Sequence, residues 1–397
     1  MRRNLYVICC LILVSLMLAG CWDRRELNEI AIAVGMGLDK DGAQVRISSQ
    51  LVNPGEVAST RNARGYSTPV TVYSATEATT LEALKKLTTM SPRQIFSSHL
   101  RVLVIGEELA RQGIADILDG LSRMNEFRTD FFILVARNNS AMSILETLTP
   151  SEKIPANGLY TMLNTSAKTW APTVKMTLDK VMSDISNPTK DSVLSGIRII
   201  GNESAGHSKS NLERTHPAAR LQNSGLALFK KGRLIDWMNE EESKGYNYIR
   251  GNVKRTAGHL TCPEGGTVGV EVIRTKSKVK GKVRNGKPQI SVDLFVEQDI
   301  GEVKCKLDLS KEETIRQLEK ISVQKLKDIL EAAIRKAQKN KADIFGFGEA
   351  IEDADPRTWL RIKDDWDRYF GELDVTVHVD APIRRTGTIS NSAQGKE

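Results

Sequence analysis

The sequence predicts an α+β protein of mixed α/β type, built of more than one domain, with a C-terminal antiparallel sheet packed by a long helix. Three features point to it. Strict alternation in "QISVDLFVE" places Ile290, Val292, Leu294 and Val296 on one face of a strand. Soon after, Ile315, Leu318, Ile321, Leu326, Ile329, Leu330, Ala333, Ile334 and Ala337 recur with helical spacing on a single stripe. Before Arg198, strand-type and helix-type segments alternate, the pattern of a sheet covered by helices.

The chain opens on Arg2 and Arg3, followed by an apolar run from Leu5 to Leu18 and the small residues Ala19 and Gly20. A basic start, an apolar stretch of about 14 residues and a small-residue processing site are the layout of a secretory signal, too short for a membrane span. In "LMLAGCWDRREL" the cysteine directly after Ala19-Gly20 looks like a bacterial lipobox. In that setting the thiol of Cys21 takes a diacylglyceryl thioether, and cleavage leaves Cys21 as the new N-terminus. Two acyl chains at roughly 0.8 kcal/mol per buried methylene hold a protein on a membrane stably, so Cys21 is expected to be a tether.

Residues 1–20 are therefore assigned to the signal, and 377 residues remain. That length fits two or three domains. No later stretch is long and apolar enough to span a membrane. Without the signal the balance is 55 basic against 49 acidic residues. Such a mild excess suits an anionic membrane surface and falls short of a nucleic-acid footprint, so no nucleic-acid partner is expected.

From Glu29, "EIAIAVGMGLDKDGAQVRISSQLV" reads as a β-hairpin turning at Asp39 to Gly42. Helical text is expected over Thr76 to Met90, a buried strand in "LRVLVIG", helix from Glu107 to Met124, a strand in "DFFILVA" and a short helix from Ser140. These form an N-terminal α/β region, 21–198, with room for two subdomains. Residues 199–222 are polar over most of their length and lack an apolar period, which predicts a linker or an exposed loop. The C-terminal α+β domain is expected over 223–387. It begins with a hairpin in "GLALFKKGRLIDWM", continues through a helix and several strands, and reaches the long helix through an expected capping box of Ser310 and Glu313. Asp355-Pro356 has the form of a further helix start, a strand follows in "LDVTVHVDAPI", and 388–397 are a polar tail.

The chemistry-bearing patterns are weak. Gly35-Met36-Gly37 lies in strand text and opens no helix, so it does not form a nucleotide loop. Asp39 and Asp41 precede Gly42, but Gln50 stands where a calcium loop needs a glutamate. His99, His207, His216, His259 and His378 have no metal-ligand spacing, and there is no G-x-S-x-G elbow. Neither a catalytic set, a metal nor a cofactor is expected.

Two features carry open alternatives. Cys305 lies on the apolar side of strand text, and an oxidising address permits a Cys262–Cys305 disulfide; two buried thiols fit equally well. In "KSKVKGKVRNGK" the residues Lys276, Lys278, Lys280, Lys282 and Arg284 alternate along one face of a strand. They are either edge charges that block strand-to-strand pairing or a contact for anionic headgroups or an acidic partner.

The chain resembles the Ger(x)C spore germination lipoproteins over nearly all of its mature length. "GCWDRRELNEIAIAVGMGLDK", "HLRVLVIGEELARQGI", "SNPTKDSVLSGIRIIG", "NEEESKGYNYIRGNVKRT", "KADIFGFGEAI", "PRTWLRIKDDWD" and "PIRRTG" occur in the family's order. The resemblance implies a non-enzymatic C subunit of a nutrient germinant receptor, on the outer face of the spore inner membrane. Its implied partners are an integral-membrane A subunit and a transporter-like B subunit. The implied fold has three α/β subdomains. After "FGFGEAI" the acidic Glu352-Asp353-Ala354-Asp355 departs from the family's usual basic or aromatic segment. From another class, a solute-binding lipoprotein feeding a transporter remains the alternative function.

Overall fold

The computed structural model describes residues 29–58 and 67–385, and beside these only residues 4 and 6. Cys21, the rest of the signal and the polar tail lie outside the described residues.

The first hairpin forms as expected from β1 (Ile30–Asp41) and β2 (Gln44–Val52), with Gly42 at φ +61° in the turn. β3 (Val70–Glu77) pairs antiparallel with β2, so the helix expected from Thr76 begins only at Thr80. The β-branched run 70–72 and Thr76 favour the strand, and Thr79 caps the helix by accepting the Glu82 N–H. That helix is α1 (Thr80–Leu87). A short β4 (Gln94–Phe96) and β5 (Val102–Gly106) both run parallel to β1. The helical text from Glu107 is two helices, α2 (Glu107–Gln112) and α3 (Ala115–Ser122). Gly113, at φ +137°, separates them, a backbone angle open to glycine alone at little cost.

β6 (Phe132–Ala136) extends the parallel run, and α4 (Ala141–Glu146), α5 (Pro155–Thr169) and α6 (Leu178–Ser186) follow. β1, β5 and β6 are buried on both faces over most of their length. One face meets α1, α3 and α6 through Leu87, Leu118 and Val181; the other meets α4 and α5 through Ile144 and Leu159. Gly35 and Gly37 belong to this packing. A Cβ on Gly35 would lie 2.9 Å from Leu145 Cδ2, and one on Gly37 3.1 Å from Ala141 Cβ, so the glycines let helices approach β1. Asp39 is buried and accepts the N–H groups of Ala141 and Met142 at 2.7 and 3.0 Å, fixing the first turn of α4.

The segment 199–222 differs from the expected linker. β7 (Val193–Gly201) and β8 (Ala219–Lys230) are antiparallel neighbours, and β9 (Arg233–Met238) closes the sheet. The sheet has nine strands in the order β3-β2-β1-β5-β6-β7-β8-β9, with β4 beside β1. Between β7 and β8, side-chain bonds to backbone replace an apolar period. Asn211 is fully buried, donates to the Leu148 and Ala219 carbonyls at 2.8 and 3.0 Å, and accepts the Ala219 N–H. Its polar neighbours gave no sign of this, because the ordering group is itself polar.

α7 (Glu240–Ile249) starts with a capping box made by Asn239 and Glu242. β10 (Thr256–Thr261), β11 (Thr267–Arg284) and β12 (Lys287–Lys304) form an antiparallel meander. α8 (Glu312–Lys339) is the long helix, about 42 Å at the standard rise. The expected Ser310–Glu313 capping box does not form. Lys311 is the N-cap residue, and the Ser310 hydroxyl and N–H both turn back to Asp308 Oδ1. The expected start at Asp355-Pro356 does form, with Asp355 accepting the N–H groups of Arg357 and Thr358.

After α9 (Phe347–Ala354), α10 (Pro356–Ile362) and α11 (Trp366–Gly371), the chain returns as β13 (Asp374–Asp380) and β14 (Ile383–Arg385). Both run parallel to β12, so the second sheet is mixed where an antiparallel one was expected. A return through four helices, α8 to α11, is the kind of long crossover that parallel pairing needs. The stripe of α8 packs as expected: Leu326, Leu330, Ala333 and Ile334 share one core with Ile290, Val292 and Leu294. That core also takes in Leu226, Leu228 and Met238 of the first sheet. The two sheets are thus joined by continuous apolar packing.

Candidate functional site

Alternation along β11 sends Lys276, Lys278, Lys280, Lys282 and Arg284 to one face, and all five are exposed. The strand bends into this arrangement at a register shift between Val272 and Arg274. β10 pairs only with Thr267 to Val272, so from Arg274 onward the described partner strand of β11 is β12 alone. The opposite side of this stretch is held by helices and loops. The Thr275 and Ser277 hydroxyls donate to the Val253 and Ile249 carbonyls at 2.6 and 2.8 Å. At Gly281 a Cβ would lie 2.0 Å from the Ala350 carbonyl oxygen of α9, so only glycine admits that helix.

The basic stripe has an acidic border. In register, Lys278 faces Asp293 on β12, which faces His378 on β13, while Phe295 faces Lys276 and Asp380. Lys280 forms an ion pair with Asp293, and its hydrogen bond holds that carboxyl below the usual carboxylate range. Both partners are well exposed, so the pair adds little stability. This surface can make charged contacts with a membrane or a protein.

Cys262 and Cys305 are joined by a disulfide, with Cα atoms 6.6 Å apart. It lies in a small core of its own with Leu260, Val268, Ile300, Leu318 and Ile383.

A second constellation was not recognised in the sequence. Asp343 is buried, and its carboxylate collects five N–H groups: Oδ1 accepts from Phe345, Gly346 and Phe347, and Oδ2 from Gly348 and the Trp366 indole. Gly346, at φ +73°, makes the tight approach possible. Burial pushes the carboxyl up to about 6 even though these donors favour its charged form. Around it the strings that carry the family resemblance converge. The Asp343 carbonyl accepts the Asp191 N–H at 2.7 Å, Arg250 donates to the Phe345 carbonyl at 2.7 Å, and Asn187 donates to Glu349 at 2.7 Å. Lys230 reaches both the Lys341 carbonyl and Asp367, each at 2.8 Å. The signal available beforehand was an aspartate inside the apolar, glycine-rich "DIFGFG". An acidic residue in such text is buried only with partners.

The fold and these surfaces define a class: a two-sheet protein with a fused core and a charged open sheet face. Residues 23–199 match the family described as "Spore germination protein N-terminal domain", and residues 224–387 match "Spore germination B3/ GerAC like, C-terminal". The chain is 34% identical to spore germination protein KC of Bacillus subtilis (strain 168) over 98% of both chains. It is 22% identical to spore germination protein B3 of the same organism, covering 94% of this chain and 96% of that one. The crystal structure of the GerBC protein matches the fold with a TM-score of 0.57 at 18% identity, covering 91% of this chain and 99% of that one. The chain belongs to the Ger(x)C family of spore germination proteins.

Proposed function

We propose that this chain is the lipid-anchored, non-catalytic C subunit of a spore nutrient germinant receptor. It sits on the outer face of the spore inner membrane and supports assembly with integral-membrane A and transporter-like B subunits. The observation that carries this proposal is the end-to-end similarity to spore germination protein KC, joined to the lipobox around Cys21. The anchor is tested by Cys21→Ala. The variant should remain an unlipidated precursor, with the share retained in purified receptor complexes down at least about tenfold, because a lone apolar leader replaces two acyl chains. Normal receptor abundance and germination in that strain would sink the tether.

In this proposal the stripe Lys276, Lys278, Lys280, Lys282 and Arg284 contacts anionic headgroups or an acidic partner. Lys278, Lys280 and Lys282 changed together to Gln should weaken binding to phosphatidylglycerol vesicles about tenfold, less than three unpaired lysines would give because Asp293 already holds one. Unchanged vesicle binding and unchanged co-purification of partners would leave the stripe as edge protection, the role favoured by its single described partner strand.

A further inference from the structure

A cleft of about 600 Å³ opens between the end of α5, the connection over residues 173–176, α6 and the turn that follows α7. A buried side chain pins its walls to one another. Asn247 of α7 donates to the Ala171 and Thr173 carbonyls at 2.7 and 3.2 Å, and its own side-chain oxygen accepts from Asn252 at 3.0 Å. Val174 is tied in turn to the Ser195 hydroxyl through both its N–H and its carbonyl. Gly251, at φ +68°, turns the chain just before Asn252. The backbone on both sides of the cleft is therefore fixed, whatever charges it carries.

Those charges are mostly of one sign. Lys190 and Asp184 neutralise each other in a largely buried ion pair at 2.6 Å. Asp179 is then the one acid left in the lining, against Lys168, Lys175, Lys180, Lys254 and Arg250. Arg250 is aimed by its bond to the Phe345 carbonyl, while none of the four lysines has an ion pair or hydrogen bond among the described residues. Partial desolvation, and then the charges of Lys168, Lys254 and Lys180, hold the Lys175 ammonium below the usual lysine range. On a convex face flexible stems let lysines relax apart, but across a concave one with a fixed backbone their fields add up inside it. None of the five basic residues of the β11 stripe borders this cleft.

We propose that this cleft binds a multivalent anion through its phosphate groups, with Lys168, Lys175, Lys180 and Lys254 as the counter-charges. The lysines act as point charges on the many oxygens of such a group, and Arg250 adds a planar donor fork. A single carboxylate would leave most of the positive excess uncompensated. A nucleic-acid strand fits less well, since Tyr246 is the one aromatic residue of the lining and is buried, so no stacking platform is offered. The phosphates are those of a free diphosphate or of a phospholipid headgroup that carries two. The site does not depend on the receptor assignment.

The test is isothermal titration of the full chain in uncharged detergent micelles, free of divalent cations, with pyrophosphate and with citrate as a multivalent anion that lacks phosphate. Pyrophosphate should bind saturably, about tenfold or more tightly than citrate, and Lys175→Gln with Lys254→Gln should weaken it by about tenfold or more. The affinity should fall as salt is raised, and changing Lys278, Lys280 and Lys282 to Gln should leave it unaltered. Circular dichroism identical to wild type keeps the double variant interpretable. Co-sedimentation with phosphatidylcholine vesicles, with and without cardiolipin, identifies the source. Loss of cardiolipin-dependent binding in the double variant assigns the phosphates to a headgroup, and pyrophosphate binding without that loss assigns them to a free anion. Silence with pyrophosphate together with unchanged vesicle binding, equal pyrophosphate affinity in the double variant, or citrate bound as tightly as pyrophosphate would each overturn the proposal.

Discussion

Asp343→Ala is expected to cost about 5 kcal/mol of stability, the largest effect of any single substitution discussed. It leaves five buried N–H groups without an acceptor, at roughly 1–3 kcal/mol each before the structure relaxes around them. The loss should appear in urea denaturation followed at the tryptophans, because Trp366 itself donates to Asp343 and lies against Trp359 with ring centroids 5.2 Å apart. A change below about 1 kcal/mol would mean that water or neighbouring groups replace the carboxylate, well under what a lost buried network gives.

The same residue gives the stability a pH dependence of definite sign. The folded carboxyl is raised to about 6 from an ordinary 3.8, so between these values the folded chain holds a proton that the unfolded chain has released. Stability therefore falls as pH rises from about 4 to about 6 and is flat in this contribution above that. Integrated over the shift, the change is on the order of 3 kcal/mol. Asp343→Asn does not titrate there, so the stability advantage of the wild type over this variant should be larger at pH 4 than at pH 7. The opposite trend would contradict burial as the dominant cause.

The second large effect concerns the disulfide. Its cysteines are 43 residues apart, and closing a loop of that length in the unfolded chain stabilises the fold by about 4 kcal/mol in the chain-entropy account. Changing Cys262 and Cys305 together to Ser should remove about that much, and reductant should shift the wild-type melting curve towards that of the variant. Since the bond ties the β10 end to the end of β12, the loss should fall on the C-terminal meander first. Hydrogen exchange would locate it there, and uniform loss across both sheets would argue against a local staple. Melting curves of wild type that ignore reductant would show that the bond contributes nothing.

Most elements were legible because their local signals agree with their environment. β12 alternates and is buried on alternate residues; the α8 stripe is regular and meets one core; Asp355-Pro356 caps as written. The failures share a cause. Ser310 could have capped α8, but Asp308, two residues back, competes for the same hydroxyl. Residues 199–222 looked loose because Asn211 orders them through three polar bonds, and no period records such bonds. Thr76 was placed in a helix because pairing with β2 depends on a strand far away in sequence. Among the site residues, the placement of the basic stripe on one face followed from alternation alone, while Asp343 owes its role to groups on other elements.

What the sequence determined by itself is the local content: the strand and helix periods, the charged face of β11 and the family membership implied by its ordered strings. Only the tertiary structure decided which polar residues are buried and what they hold. Asp343 is an ordinary aspartate until the segments around Asp191, Gly348 and Trp366 fold over it. The physical reason is that period and propensity act over a few residues, whereas desolvation depends on every element that excludes water from the group.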